Sequence, residues 1–294
     1  MRAALSGALR WLAIVLSALV VAGYGGALHP AGDSLAVFRW EASLAVLALA
    51  GLSLMAAARR QALILGVVAA VAGGPILWAM QPRTPGSAIT LYQKNIWIGN
   101  GQGDAIAADI YASGADIVTL QEVDRRHDPL VSSLRERYRG WQRCFGGIHV
   151  FSRLPLAAGG GRCLEDRGLA VALLQVEAPM GPVWIASVHL SWPWPRGQAD
   201  QARRIAEAFA SLDGPVIVAG DFNMVPWGRS VRRIGRSVGA VPAGPLSATH
   251  HIPGLGLPPL RIDHVLVPDG WAASVALRDR LGSDHAGLLA GIGP

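Results

Sequence analysis

Apolar residues in this chain follow two different patterns, and the change between them falls near residue 82. Before it, three long runs carry no charge, at residues 11–28, 42–58 and 61–81. A bilayer-spanning helix needs about 17 to 25 such residues, so each run is long enough, the second only just. The pattern predicts a transmembrane region over residues 1–82 with three helices. The alternative for the first run, which lies behind Arg2 and Arg10, is a signal peptide. Arg59 and Arg60 stand in the tight connection between the second and third runs, and the positive-inside rule assigns that connection to the cytoplasm. The chain beyond the third run then emerges on the other side. These features predict an inner-membrane protein whose remaining domain is periplasmic, or at least extracytoplasmic, with the lipid bilayer as partner of the amino-terminal helices. No protein partner is inferred.

Residues 85–294 show short apolar runs, Gly/Pro punctuation and charged helical stretches, as expected of one globular domain. Strand-like segments at 88–97, 116–120, 141–145, 149–152, 169–176, 183–190, 216–219, 262–267 and 288–292 are interleaved with helical patterns at 105–112, 129–138 and 198–212. Long helices do not separate all the strands. This excludes a simple doubly wound sheet and predicts an α/β fold of two packed sheets with helices outside.

Charge narrows the function classes. The whole chain has a net charge of +6, but after residue 80 there are 21 basic against 18 acidic residues. Such a mild excess admits an anionic substrate or a membrane surface without the dense basic stripe of a dedicated nucleic-acid binder. Cys144 and Cys163 fit no zinc-ligand spacing. In an oxidising compartment they either pair, if their segments are neighbouring strands, or remain inert thiols.

The chemistry gathers at strand ends. In PVIVAGDFNMVPW the apolar run 216–219 leads into Gly220-Asp221-Phe222-Asn223, a carboxylate and an amide aimed by one rigid strand. Asn95, Glu122, His189, Asp263, Asp284 and His285 likewise sit at or just beyond predicted strand ends. Strand ends on one edge of a sandwich converge on one cleft, and this donor set suits a metal or phosphate site. Trp192, Trp194 and Trp227 follow these positions closely and either line the entrance or pack over the edge. His250 and His251, in a Pro/Gly-rich loop, read as surface residues outside the site.

The ordered segments LQEV (120–123), SVHL (187–190), GDFN (220–223), RIDHVLV (261–267) and SDH (283–285), with Asn95 in YQKNIW and Ser152-Arg153 in HVFSRLPL, resemble the endonuclease/exonuclease/phosphatase superfamily. The resemblance covers residues 88–292 and implies a four-layer α-β-β-α sandwich that hydrolyses phosphate esters with a divalent metal, Mg²⁺ or alternatively Mn²⁺. By the same resemblance Glu122 is the principal metal ligand, with Asn95 and Asp284 as further ligands. His285 or Asp221 activates water, Asp263 orients His285, Asn223 orients phosphate or water, and His189 donates to a phosphoryl or departing oxygen. The substrate class stays open among a lipid headgroup, nucleic acid and a small phosphate ester. No long basic or aromatic insertion of the kind that grips duplex DNA is present. A membrane-anchored binding protein that kept the fold without the chemistry is the reading from another class.

Overall fold

The computed structural model describes residues 2–84, 86–164, 168–251 and 259–294; Pro85, where the second domain begins in the sequence reading, lies outside them. The three uncharged runs form helices. They are α1 (Arg2–Ala22), α3 (Arg39–Met55) and α4 (Arg59–Ala79), with a short α2 (Ala31–Ala36) between the first two. The first helix stops sooner than the uncharged run because Gly23, Gly25 and Gly26 turn the chain into a 3-10 segment, Gly25–Ala27. Among the described residues α4 alone is long and apolar enough to cross a membrane by length and composition; the apolar part of α1, Gly7–Ala22, and the 17 residues of α3 are shorter. The bundle holds a small core around Val46, Leu49 and Leu65, yet Trp11, Leu54, Leu63, Ile64 and Trp78 on its outside are each at least 60% exposed.

After the bundle come two six-stranded mixed sheets. In chain order the elements are β1 (Ile89–Asn95), α5 (Gly103–Ser113), β2 (Ile117–Gln121), α6 (Asp128–Arg137), β3 (Gly140–Cys144), β4 (Ile148–Ser152), β5 (Leu156–Leu164), β6 (Val171–Ala178), β7 (Gly181–His189), α7 (Gln198–Phe209), β8 (Val216–Asp221), α8 (Arg229–Ser237), β9 (Ala240–Pro242), β10 (Asp263–Pro268), β11 (Ala272–Arg278) and β12 (Gly287–Gly293). One sheet runs β11-β12-β1-β2-β4-β3 and the other β5-β6-β7-β8-β10-β9. Period-two alternation sends Leu91, Ile117, Ile185, Ile217 and Val265 into the core between the sheets. Val118 and Leu120 face α5 and α6 on one outer side, while Val188 and Val218 face α7 and α8 on the other. The layers are therefore helix, sheet, sheet, helix.

Strands β5, β9 and β11 and helices α2 and α8 have no counterpart among the sequence-derived elements. The first, LAAGGGRCL, carries three glycines and lies at a sheet edge, where pairing rather than propensity makes the strand. The arginine-rich α8 buries only Val231 and Ile234 among its large apolar residues, too few to announce a period.

Cys144 and Cys163 are joined by a disulfide with Cα atoms 5.6 Å apart. It fastens β3, the edge of one sheet, to β5, the edge of the other. Closing a loop over a sequence separation of 19 residues limits the unfolded chain by about 3 kcal/mol. Replacing both cysteines by serine is expected to lower the unfolding midpoint by roughly 6–12 °C. A thermal scan of the full chain in detergent that shows no shift would contradict this.

The bundle is tied to the sandwich by its α1–α3 connection. Trp227 donates its Nε1–H to the Ala36 carbonyl at 2.7 Å, the Arg229 amide donates to Asp33 Oδ1 at 2.9 Å, and Ser34 Oγ donates to the Trp194 carbonyl at 2.9 Å. Ala36 and Val37 join the core on the α7/α8 side.

Candidate active site

Strand register assembles the site. Asp221, the last residue of β8, stands opposite His189 on β7 and Asp263 on β10. In the other sheet Asn95 ends β1 opposite Gln121, and Glu122 follows directly. The side-chain amide of Asn95 joins the two sheets, donating to Glu122 Oε1 at 2.9 Å and to Asp221 Oδ2 at 2.9 Å. Its oxygen accepts the Trp97 amide at 2.9 Å. Asn95, placed among the metal ligands in the sequence reading, thus holds two carboxylates together through its NH₂ group.

Beneath this layer the core turns polar. Gln93 donates to Gln121 Oε1 at 2.9 Å and to Asp263 Oδ1 at 3.2 Å, and Gln121 donates to Ser187 Oγ at 3.0 Å. All three side chains are fully buried, and the network supports the acids above it, with Gln93 Oε1 left as its one buried atom without a hydrogen-bond partner among the described residues. It went unnoticed in the sequence, although Gln93, Gln121 and Ser187 each stand two positions before or one before a predicted site residue on an otherwise apolar strand.

Backbone geometry is unusual where the carboxylates leave the sheets. Glu122 has φ +60° and Asn223 φ +46°, left-handed values that cost a non-glycine residue about 1–3 kcal/mol. Local hydrogen bonds offset this: Ile98 N–H reaches Glu122 Oε2 at 3.0 Å, Asn223 N–H reaches Asp221 Oδ1 at 2.8 Å, and Asn223 Nδ2 donates to the Leu190 carbonyl at 2.8 Å. A side chain at Gly220 would run into the Val188 carbonyl, so the residue before Asp221 must be glycine.

The SDH segment is anchored to β1. Buried Lys94 donates to the carbonyls of Asp279 at 2.9 Å and His285 at 3.0 Å, and Ser283 Oγ donates to the Asn95 carbonyl at 2.8 Å. Burial lowers the Lys94 ammonium to about 8. His285 is thereby held with Nδ1 2.7 Å from Asp263 Oδ2 and Nε2 3.7 Å from Asp221 Oδ2. Burial opposes the imidazolium, but Asp263, Asp221 and Asp284 outweigh it and push His285 up to about 10. Burial likewise raises Asp221 above the usual carboxylate range. For Asp263 burial is outweighed by the charge of His285 and by hydrogen bonds from His285, Thr249 and Gln93, which hold the carboxyl below that range.

These groups line or underlie one cleft of about 820 Å³. Glu122, His189, Asp221, Asn223, Asp284 and His285 open onto it, with Asn95 and Asp263 hydrogen-bonded behind them. His189 Nε2 lies 3.7 Å from Glu122 and 3.6 Å from Asp221. The cleft wall also contains His250, which the sequence reading set aside. Its ring centre is 4.4 Å from that of His285, and its Nδ1 is 3.9 Å from Asp284 Oδ2. No local pattern separates His250 from His251 in the sequence; a bridge pairing of His250 with Leu260 and His285 brings it in. Trp192 lines the cleft and meets His250 edge-on at 5.8 Å, whereas Trp227 packs against the α1–α3 connection.

The donor set fits a divalent cation. Ligand atoms of Glu122, His189 and Asp221 lie within 4.8 Å of one another, and so do those of His250, Asp284 and His285. The second group contains two buried polar atoms with no hydrogen-bond partner among the described residues, His250 Nδ1 and Asp284 Oδ1. The carboxylate oxygens suit Mg²⁺ and Mn²⁺ alike.

Solved structures share this fold. Truncated TDP2 from Caenorhabditis elegans superposes with a TM-score of 0.57 at 18% identity, covering 70% of this chain and 97% of that one. Sphingomyelinase C from Streptomyces griseocarneus gives 0.53 at 18% identity, over 69% and 99% of the two chains. A mutant beta toxin from Staphylococcus aureus with bound magnesium ions gives 0.50 at 14% identity, over 70% and 99%. No curated protein matches in sequence. The description "Endonuclease/Exonuclease/phosphatase family" matches residues 93–285, more than half of the chain and every site residue named above. On that match the chain belongs to the endonuclease/exonuclease/phosphatase family.

Proposed function

We propose that the chain is a membrane-anchored, Mg²⁺- or Mn²⁺-dependent phosphodiesterase whose catalytic domain faces the extracytoplasmic side. The observation that carries the chemistry is the array Asp263–His285–Asp221, continued through Asn95 to Glu122 on the floor of one open cleft. When bound, the cation supplies Lewis-acid polarisation of a phosphoryl oxygen. Glu122 is the carboxylate assigned to it, Asn95 ties that carboxylate in place, and Asp284 beside His250 is a further ligand position. Asp263 accepts from His285 Nδ1–H and helps to keep the ring cationic, so that Nε2–H is also available to donate into the cleft. With that ring cationic, Asp221 is the better placed of the two candidates to take the proton of an attacking water. His189 donates to a phosphoryl or departing oxygen, and Asn223 holds Asp221.

The lining favours a diester. Among the described residues its lining carries one arginine, Arg196, with three histidines and three carboxylates, a balance suited to the single charge of a diester rather than the double charge of a monoester. Among diesters the lipid headgroup is ranked ahead of nucleic acid, because a tethered domain meets headgroups continuously.

Three observations support the membrane reading. The exposed outer faces of α1, α3 and α4 are apolar, as a lipid solvent requires. The α1–α3 connection packs on the sandwich, so both lie on one side, which agrees with Arg59 and Arg60 on the other. The disulfide suits an oxidising compartment.

The test uses the full chain in detergent, with Mg²⁺ or Mn²⁺ and then with chelator. Substrates are bis-p-nitrophenyl phosphate, p-nitrophenyl phosphate, single-stranded and duplex DNA, and phospholipid vesicles. Metal-dependent diester turnover, highest on vesicles, is expected; no turnover on any of them would favour the binding-protein reading. A reporter fused after Pro294 that works only in the cytoplasm would overturn the orientation.

A further inference from the structure

A second cavity, of about 370 Å³, lies in the seam between the helical bundle and the sandwich and shares no lining residue with the catalytic cleft. Its two walls differ in chemistry. One is the apolar end of α4, including Pro75 and Ile76; the other carries three guanidinium groups, Arg39, Arg83 and Arg232.

Arg39 is the informative member. It is 5% exposed, and a buried guanidinium must place its donors or bear the cost of desolvation. One nitrogen donates to the Gly23 carbonyl at 2.6 Å, and the plane lies 3.8 Å from the centre of the Tyr24 ring, but Nε has no partner. Its nearest charges do not neutralise it. Arg232 repels it, and Asp33 attracts it without an ion-pair contact; among the described residues no carboxylate lies within ion-pair distance of Arg39. Neither Arg83 nor Arg232 has an ion-pair partner among the described residues. Three cations gathered around one cavity without a matching acid describe a site shaped for an anion.

The second wall says which kind of anion. Pro75 and Ile76 belong to the carboxy-terminal part of α4, the end nearest the sandwich, and Tyr24 and Trp227 add the aromatic rings that favour a membrane–water boundary. A free phosphate would satisfy the arginines and leave this apolar surface uncovered. We infer that the cavity binds the phosphate headgroup of an anionic phospholipid, with Arg39, Arg83 and Arg232 around the phosphate and an acyl chain against Pro75 and Ile76 of α4. The inference rests on the reading that the helices lie in a bilayer. A lipid so placed touches α3, α4 and the sandwich at once, and it fixes the angle at which the catalytic domain sits on the membrane.

The experiment is native mass spectrometry of the full chain released from detergent, with chelator present to prevent turnover. The probes are dihexanoyl phosphatidylglycerol, dihexanoyl phosphatidylcholine and inorganic phosphate. The expected result is one phosphatidylglycerol adduct, favoured at least tenfold over phosphatidylcholine and not displaced by equimolar phosphate. Arg39→Gln is expected to weaken it at least tenfold. Because that buried change can also disturb folding, the exposed pair Arg83→Gln/Arg232→Gln is the second variant, with the same loss expected and metal-dependent diester hydrolysis retained. Equal retention of the two lipids, phosphate binding as tight as phosphatidylglycerol, or an unchanged adduct in the double variant would each overturn the site. Flotation with phosphatidylcholine vesicles separates the two readings. A chain that stays in the soluble fraction overturns the membrane reading itself, whereas flotation without a phosphatidylglycerol adduct overturns the lipid site alone.

Discussion

Glu122→Gln is expected to reduce metal-dependent diester hydrolysis on the order of 10²–10³-fold while leaving the protein folded, because it removes a charge and keeps the shape. Glutamine retains an oxygen to accept the Ile98 amide, and Asn95 still has Asp221 to bind. The change is felt by the cation: Glu122 and Asp221 are held within reach of one Asn95 amide, and two anions so close repel unless a positive charge stands between them. In chelator, therefore, the variant is expected to be at least as stable as the parent, and titration with Mn²⁺ should show weaker binding. Activity and ion affinity then fall together while stability holds or rises, as at a site kept for function rather than for folding. Parental turnover by Glu122→Gln, or unchanged Mn²⁺ affinity, would remove Glu122 from the metal site.

Much of this site is legible in the sequence because Glu122, His189 and Asp221 follow apolar runs and Asp263 opens one. The runs 216–219 and 183–188 are strands for the same reason that they are apolar on alternate faces, and the last residue of each projects from the sheet end as Asp221 and His189. What the runs cannot carry is register. That Asp221 faces both His189 and Asp263 depends on one parallel and one antiparallel pairing over long sequence distances. His250 shows the limit: it enters the cleft through a bridge made by a loop, without apolar period or turn signal. Asn95 shows another, since a side-chain amide offers an oxygen and an NH₂ group, and only its neighbours decide which faces the carboxylates. The docking of residues 23–37 on the sandwich was equally hidden, because Ala36, Val37 and Asp33 look like any inter-helical linker until Trp227 and Arg229 are seen to bind them.

Asp263→Asn is the more telling substitution, because it acts on catalysis without lining the cleft, through His285 and through its charge beside Asp221. Asparagine in place of Asp263 can still accept a hydrogen bond from Nδ1–H, but it withdraws the nearest charge that keeps the imidazole cationic. The expected loss in rate is about 10²–10⁴-fold, the range for a general acid–base group put out of its proper state. The pH profile distinguishes this from simple misfolding. In the parent, burial raises Asp221, so activity should climb with pH as that carboxyl ionises, and it should fall again as His285 loses its proton near pH 10. In Asp263→Asn the alkaline limb should move down toward the ordinary histidine range, while Asp221→Asn should abolish the acid limb together with most of the activity. Stability in chelator follows the same sign. A histidine whose folded value is raised to about 10 contributes fully below the unfolded value of about 6.5, and the contribution disappears as pH rises between the two. Lys94, lowered to about 8, acts with the opposite sign above that pH, so denaturant unfolding from pH 7 to 10 should show a more negative slope of stability in the parent than in His285→Gln. The same pH slope in the parent and in His285→Gln, or an alkaline limb unmoved by Asp263→Asn, would mean that the Asp263–His285 pair orients the loop without holding the proton.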